Sequence, residues 1–268
     1  MPDPPASRDW SESDERSDSE FFAEYLGQAT AFEQVQAYKT RSHQLLDLDK
    51  GDCVLDAGCG IGDDVLALAR SVGPTGEAIG IDNSEALVEQ ARSKGSDIST
   101  VSFRVGDIYD LEFAAGRFDA SRADRVLQHL HQPSDAIAEL VRVTRPGGRV
   151  ALTDPDWESL AIDAPGEIPH NVFEPDRLNT RNPAIGRRLY RLCREAGLRE
   201  IGIDSFLLTT TDFEFAFEMT GAEDALSADS GLDATAVETS IKSLRAADDA
   251  DRFFGSVPAY TVTGVVPH

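Results

Sequence analysis

The sequence predicts an α/β fold: a doubly wound sheet of seven strands, mostly parallel, with an antiparallel last strand. Three observations carry this. Apolar, strand-like runs alternate with helix-like segments from residue 53 to residue 265. Residues 53–62, Cys-Val-Leu-Asp-Ala-Gly-Cys-Gly-Ile-Gly, read as a buried strand, a tight glycine turn and the start of a helix. Acidic residues stand at the ends of successive strands, at Asp56, Asp82 and Asp107, and Asp154 closes the fifth. Such alternation implies parallel strands covered by helices on both faces.

The elements follow in order. Residues 1–17 are rich in Pro, Ser, Asp and Glu with few apolar residues, and are expected to form a disordered acidic tail. Residues 18–50 carry Phe21, Phe22, Tyr25, Leu26, Phe32, Val35, Tyr38, Leu45 and Leu46 at helical spacing, which predicts an N-terminal helical cover. Strands are predicted at 53–57, 77–82, 100–106, 118–123, 148–154, 199–209 and 258–265. Helices are predicted at 63–71, 84–94, 133–145, 184–196 and 234–248. Asn83-Ser84 suits a helix start, and Pro146-Gly147-Gly148 ends the fourth helix. Residues 51–268 thus form the main domain. Two inserts, at about 155–183 and 210–233, are long and rich in Pro, Asp and Glu, and connections of that length tend to serve function.

Composition removes several classes. A chain of 268 residues buries a full core. No apolar stretch approaches the roughly 20 residues of a membrane span, and the N-terminus lacks a signal-peptide pattern. Cys53, Cys59 and Cys193 have neither metal spacing nor a paired framework, so a reduced, cytoplasmic protein without a metal is expected. The net charge of −23 argues against a nucleic-acid substrate, which needs clustered cations. Only 4 Lys stand beside 21 Arg, and scarce Lys with abundant carboxylates matches a halophilic surface.

The glycine spacing separates two ligand classes. A dinucleotide fingerprint needs G-x-G-x-x-G, and the third position is Asp63 counted from Gly58 and Val65 counted from Gly60. The pattern D-x-G-x-G-x-G fits Asp56 to Gly62 without a gap. Ligands of open α/β sheets bind at the carboxyl ends of strands. Asp82, 22 residues beyond Gly60, suits a ribose diol, or else the capping of the helix at Ser84. Asp107 and Ile108 suit the amine and the ring face of an adenine.

Taken in order, five segments resemble the successive motifs of class I S-adenosylmethionine-dependent methyltransferases of the small-molecule type. They are Asp56 to Gly62, Gly80-Ile81-Asp82-Asn83, Val105-Gly106-Asp107-Ile108-Tyr109, Phe118-Asp119-Ala120 leading into Arg122 to Leu130, and Arg142 to Val150. The resemblance is strong over about 45–155 and holds by pattern over 184–265. It implies a Rossmann-like fold, S-adenosylmethionine as cofactor, and in-line methyl transfer from the sulfonium to a small molecule. It places Asp56, Gly58, Gly60, Asp82, Asn83, Asp107, Ile108 and Ala123 at the cofactor. Gly58 and Gly60 would cradle the methionine part, and Ala123 would offer a carbonyl to the amino group. The alternatives are a catalytically silent cofactor-binding subunit, or a related enzyme that uses the same cofactor for other chemistry.

The acceptor should lie beyond the fourth and fifth strands. Asp154-Pro155-Asp156-Trp157 follows the fifth, so Asp154 and Asp156, with His129, are the candidates for proton transfer. Trp157, His129 and Arg122 are the candidates for substrate contact. Trp157 and at least one of the two acids are expected to line a cavity continuous with the cofactor site, under a lid formed by the N-terminal helices and the 155–183 insert. A turn with an aromatic plug is the plainer reading of the same residues. Tyr25 and Tyr38 suit the cofactor cover or the core, and Arg41 suits the cofactor carboxylate. Arg187 and Arg188 suit an acidic substrate or a solvated helix face.

Overall fold

A computed structural model describes residues 33–163, 180–220 and 234–268. The predicted tail at 1–17, Tyr25 and the stretches 164–179 and 221–233 of the two inserts lie outside the described residues. Among the described residues there are eight strands: β1 Cys53–Ala57, β2 Glu77–Asp82, β3 Val101–Val105, β4 Phe118–Asp124, β5 Thr144–Pro155, β6 Ala161–Asp163, β7 Arg199–Thr210 and β8 Phe254–Val265. The α-helices are α1 Glu33–Leu45, α2 Asp63–Val72, α3 Glu85–Gly95, α4 Pro133–Val143, α5 Ile185–Glu195, α6 Phe213–Thr220 and α7 Ala234–Asp248. Two single 3₁₀ turns, Leu127–His129 and Trp157–Ser159, follow the ends of β4 and β5.

The strand order is β3-β2-β1-β4-β5-β8, and both β6 and β7 also pair with β8. The first five strands are mutually parallel, whereas β8 is antiparallel to β5, β6 and β7. Alternation along each strand sends neighbouring side chains to opposite faces. Val54, Ala78, Phe103, Ala120 and Ala151 therefore pack under α2 and α3. Leu55, Ile79, Leu152 and Val262 pack under α4 and α5, where Phe118 joins them through an irregularity in β4 before Ala120. Each cover helix presents one apolar stripe: α2 buries Val65, Leu68, Ala69 and Val72, and α4 buries Ala136, Ile137, Leu140 and Val143. These two layers are the doubly wound Rossmann-like architecture.

Two additions come from the inserts. β6 makes an eighth strand beyond the predicted seven, and its three residues are too short to show a period in the sequence. α6 packs on α7 through Phe213, Phe217, Leu244, Ala247 and Phe253. Of the predicted N-terminal cover, α1 is described. It crosses the end of β7, where Gln34 bonds Thr209, Tyr38 stacks on Phe206 at 4.3 Å, and Arg41 pairs with Asp204 at 2.8 Å.

Candidate functional site

The glycine turn sits between β1 and α2. Gly58, Gly60 and Gly62 have φ of +80°, +52° and +85°, which side-chain-bearing residues rarely adopt. At Gly58 a Cβ would also lie 2.3 Å from Val126 Cγ2, so β4's exit and the turn are in direct contact. Gly58 and Cys59 both donate backbone N–H bonds to the Ile81 carbonyl at 2.8 Å. Gly62 caps α2 without a side-chain bond, which leaves the first-turn N–H groups facing outward over the turn.

Asp82 ends β2 and ties this turn to the next. Its Oδ2 accepts from Gly60 N at 2.8 Å, and its Oδ1 accepts from Ser84 N at 3.0 Å. The helix cap itself is the Ser84 hydroxyl, which accepts from Leu87 N. Asn83 is exposed beside it. Asp107, beyond β3, accepts from Tyr109 N at 2.8 Å and is exposed, whereas Ile108 is buried. Ala123 is buried in β4, paired with Leu152. These residues occupy the carboxyl ends of four adjacent strands. Burial pushes the Cys59 thiol well up, and Asp82 adds to this, so Cys59 is a packing residue rather than a nucleophile.

A buried ionic cluster lies beneath the turn on the α1–α2 face. The Arg122 side chain, 1% exposed, pairs with Asp56 at 3.0 Å, Asp64 at 3.2 Å and Asp124 at 2.6 Å. Asp64 also pairs with Lys39 and with His43, at 3.1 Å for the latter, and the Tyr38 hydroxyl donates to Asp124 at 3.3 Å. Thus α1 is latched to the sheet through the same carboxylates. Burial raises Asp56 to about 6 against the pull of Arg122. Burial also works on Asp64, but Lys39 and Arg122 outweigh it and hold that carboxyl well below the usual range. Burial disfavours the Arg122 charge, yet Asp56 and Asp64 keep it firmly protonated. Arg122 was expected to contact substrate; the structure commits it to three carboxylates instead. Arg41, one candidate for the cofactor carboxylate, pairs with Asp204 of β7.

The end of β5 forms a second polar region, on the α4–α5 face. Trp157 is buried against Val257, Leu160 and Leu208, and its Nε1 donates to Gln128 Oε1 at 2.7 Å. Asn182 donates to the Leu127 and Leu130 carbonyls at 3.1 and 2.6 Å, so the segment before α5 locks the first 3₁₀ turn. His129 lies half-buried on that turn. Asp156, a proton-transfer candidate, is buried and gives Oδ2 to Arg187 and to the Ser159 hydroxyl, so it fixes the second 3₁₀ turn. Arg187 also meets Glu158 at 3.1 Å, so its exposed side chain braces this turn from the solvated face of α5. Asp154 differs from all of these: it is fully buried, and neither of its oxygens has a hydrogen-bond partner. Gln128, Asn182, Asp64 and Asp124 escaped the sequence reading. Asp64 and Asp124 carried a signal, because Asp124 shares Arg122's face two residues on and Asp64 opens α2.

Among the described residues no group of three or more His, Cys, Asp or Glu is arranged to hold a metal ion, and no helix is long and apolar enough to cross a membrane. The sequence model of a methyltransferase domain matches residues 48–197, so the chain belongs to the methyltransferase-domain family, the class I enzymes whose cofactor is S-adenosylmethionine. A Streptomyces fradiae transposon protein, uncharacterized, is 42% identical over 176 residues, covering 65% of this chain and 51% of its own length. A demethylmenaquinone methyltransferase of Staphylococcus aureus is 33% identical over 137 residues, covering 51% of this chain and 57% of its own. The chain therefore spans little more than half the length of these relatives. The YcgJ protein of Bacillus subtilis shares the fold, with a TM-score of 0.64 at 18% identity, covering 87% of this chain and 99% of that one.

Proposed function

We propose that this chain transfers the methyl group of S-adenosylmethionine to a small-molecule acceptor. The observation that carries the reading is the Asp82 carboxylate bonded to Gly60 N, which joins a diol-binding acid to a backbone cradle at one point. Local charge supports it. The Asp82 carboxylate stands at the turn, and a pyrophosphate there would meet a like charge. A sulfonium with an ammonium beside it meets an opposite one. The bound cofactor supplies an electrophilic methyl on sulfur; the chain positions it and excludes water.

In this reading Gly58 and Gly60 admit the methionine part, and the Ala123 carbonyl takes its amino group. Asp82, with Asn83 beside it, receives the ribose hydroxyls, while Asp107 and Ile108 frame the adenine. Asp56 holds the turn from below through Arg122. The name of the Staphylococcus aureus relative supports a small molecule as acceptor, and the acidic composition supports neither nucleic acid nor an anionic membrane as partner. Calorimetry tests the reading. S-adenosylhomocysteine should bind, and Asp82→Ala should weaken it by about 1–3 kcal/mol, the scale of hydrogen bonds to a charged group. Tight NADH binding with no response to either sulfur compound would reject it.

A further inference from the structure

We propose that the free edge of β7 is a self-association surface, to which a second copy of this chain adds its own β7, antiparallel about a two-fold axis at Ser205. β7 pairs with β8, and among the described residues no strand pairs with its other edge. The backbone direction follows from Pro258. It has no N–H, and its carbonyl accepts from Asp156 N, on the side away from β7. Leu207 stands opposite Pro258, so its own N–H and C=O point off the sheet. By alternation those of Ile203 and Ser205 do the same. Thr209 agrees, because its outward N–H donates to Gln34 Oε1 of α1 at 2.9 Å. That amide closes the edge at one end. Irregular pairing between Arg199 and Gly202, with Glu200 at φ +48°, closes it at the other. Residues 203–207 lie open between them.

The side chains there suit a second copy. Ile203, Ser205 and Leu207 share one face of the sheet, and all three are exposed. Ile203 at 58% and Leu207 at 55% are the most exposed large apolar residues among those described. α1 covers the opposite face through Asp204 and Phe206, whereas on this face only Ile201 reaches the core under α5. The other edge of the sheet is defended: Arg92 donates to the Phe103 carbonyl of β3 at 3.2 Å, and Arg104 is exposed beside it. A two-fold axis at Ser205 sets that residue opposite itself and Ile203 opposite Leu207 of the second copy. Apolar then meets apolar on both sides of the axis, and each facing pair exchanges backbone hydrogen bonds. Charge points the same way. The chain carries −23, yet residues 201–210, Ile-Gly-Ile-Asp-Ser-Phe-Leu-Leu-Thr-Thr, hold a single charged residue, Asp204, and Arg41 pairs with it. This stretch adds little to the repulsion between copies, and salt screens the remainder.

Sedimentation equilibrium of the full chain in about 1 M KCl, where the screening length is about 3 Å, tests the proposal. The wild-type chain should form a reversible dimer. Ser205→Pro removes the central outward N–H, which an edge strand tolerates, and should weaken the dimer by about tenfold or more. Ile203→Lys should weaken it to a similar extent, about tenfold, because each substitution acts twice across a two-fold axis. Circular dichroism of both variants should match the wild-type chain. Cysteine substitution reads the register. Cys53, Cys59 and Cys193 are all buried, so a thiol introduced on this edge is the exposed one. Directly opposite residues of a hydrogen-bonded pair have Cα atoms about 5.5 Å apart, within reach of a disulfide. Mild oxidation should therefore link Ser205→Cys chains into covalent dimers, whereas Leu207→Cys chains, whose thiols face Ile203, should stay largely unlinked. A monomer at every protein concentration, a dimer that Ser205→Pro and Ile203→Lys leave unchanged, or faster linkage of Leu207→Cys overturns the proposal. The cysteine comparison decides the matter even if Ser205→Pro does not fold.

Discussion

Asp56 on β1 and Asp154 on β5 flank β4 at the same end of the sheet, yet their surroundings are opposite. Asp56 is buried with Arg122 at 3.0 Å, and Arg122 in turn gathers Asp64 and Asp124. Asp154 is equally buried, and peptide N–H groups of Leu127 and Gln128 face it rather than a paired cation. The first region is a polar strut: removing water from several charges is expensive, and mutual pairing and hydrogen bonds offset that expense. The second is a lone acid in a dry enclosure, which favours its neutral form. The strut underlies the glycine turn, the cofactor site proposed above, and the latch of α1.

The largest effect should come from breaking the strut. Arg122→Met leaves three carboxylates without their shared cation, and breaking a buried pair in this way costs about 3–5 kcal/mol. Urea unfolding followed by circular dichroism measures it. A loss under about 1 kcal/mol would mean that water reaches the cluster and the pairing is dispensable. Acid should expose the same strut in the wild-type chain. The folded pKa of Asp64 is depressed, so its contribution is present above the unfolded value of about 3.9 and is lost as pH falls through the folded one. Asp56 has the opposite sign, since its raised pKa of about 6 removes stability as pH climbs from the unfolded value toward 6. Thermal melts from pH about 2 to about 7 should therefore rise steeply at the acid end and flatten or dip above it. A curve that rises monotonically to neutrality would show that Arg122 keeps Asp56 fully ionised.

A smaller effect is expected at the latch. Lys39→Met leaves Asp64 with Arg122 and His43, so stability should fall by only about 1–2 kcal/mol. The change should appear chiefly as faster proteolysis or hydrogen exchange in α1, because Lys39, Tyr38 and His43 are what join that helix to the acid cluster. Uniform loss of protection across the sheet would mean that α1 does not open separately.

What the sequence disclosed follows the same division. The glycine turn, the strand-end acids and the alternation of strands with helices are local patterns, and β1 and β2 occupy the residues predicted for them. The strut is not local, since Arg122 and Asp56 are 66 residues apart and meet only through the parallel register of β1 with β4. Arg122 at a strand end therefore read as a ligand contact. Its side-chain parity with Ala120, which faces the α2–α3 layer, is what turns it inward. Gln128 and Asn182 stayed hidden for a related reason: amides carry no pattern, and their partners lie across the chain. At Asp154 the sequence showed the residue and its strand end, and burial supplied the rest.

The smallest effect should have the opposite sign to the first, and it is the sharpest test of the contrast. In the unfolded chain Asp154 ionises at about 3.9, whereas the folded site keeps its proton to a much higher pH. Below about pH 4 the group is protonated in both states, so it contributes no pH dependence there. As pH rises further, the unfolded state gains by releasing a proton that the folded state retains, and stability falls until the raised folded pKa is reached. Asparagine has nearly the same shape and never titrates. Asp154→Asn should therefore match the wild-type chain near pH 4 and become the more stable of the two toward pH 8, the gap levelling off only above the folded pKa. The gain is partial, because the amide is itself a buried polar group in the same enclosure. Paired melts of the two proteins across that range measure it. If Asp154→Asn is instead the less stable protein at neutral pH, Asp154 is ionised and internally paired, and the two ends of the sheet are built alike.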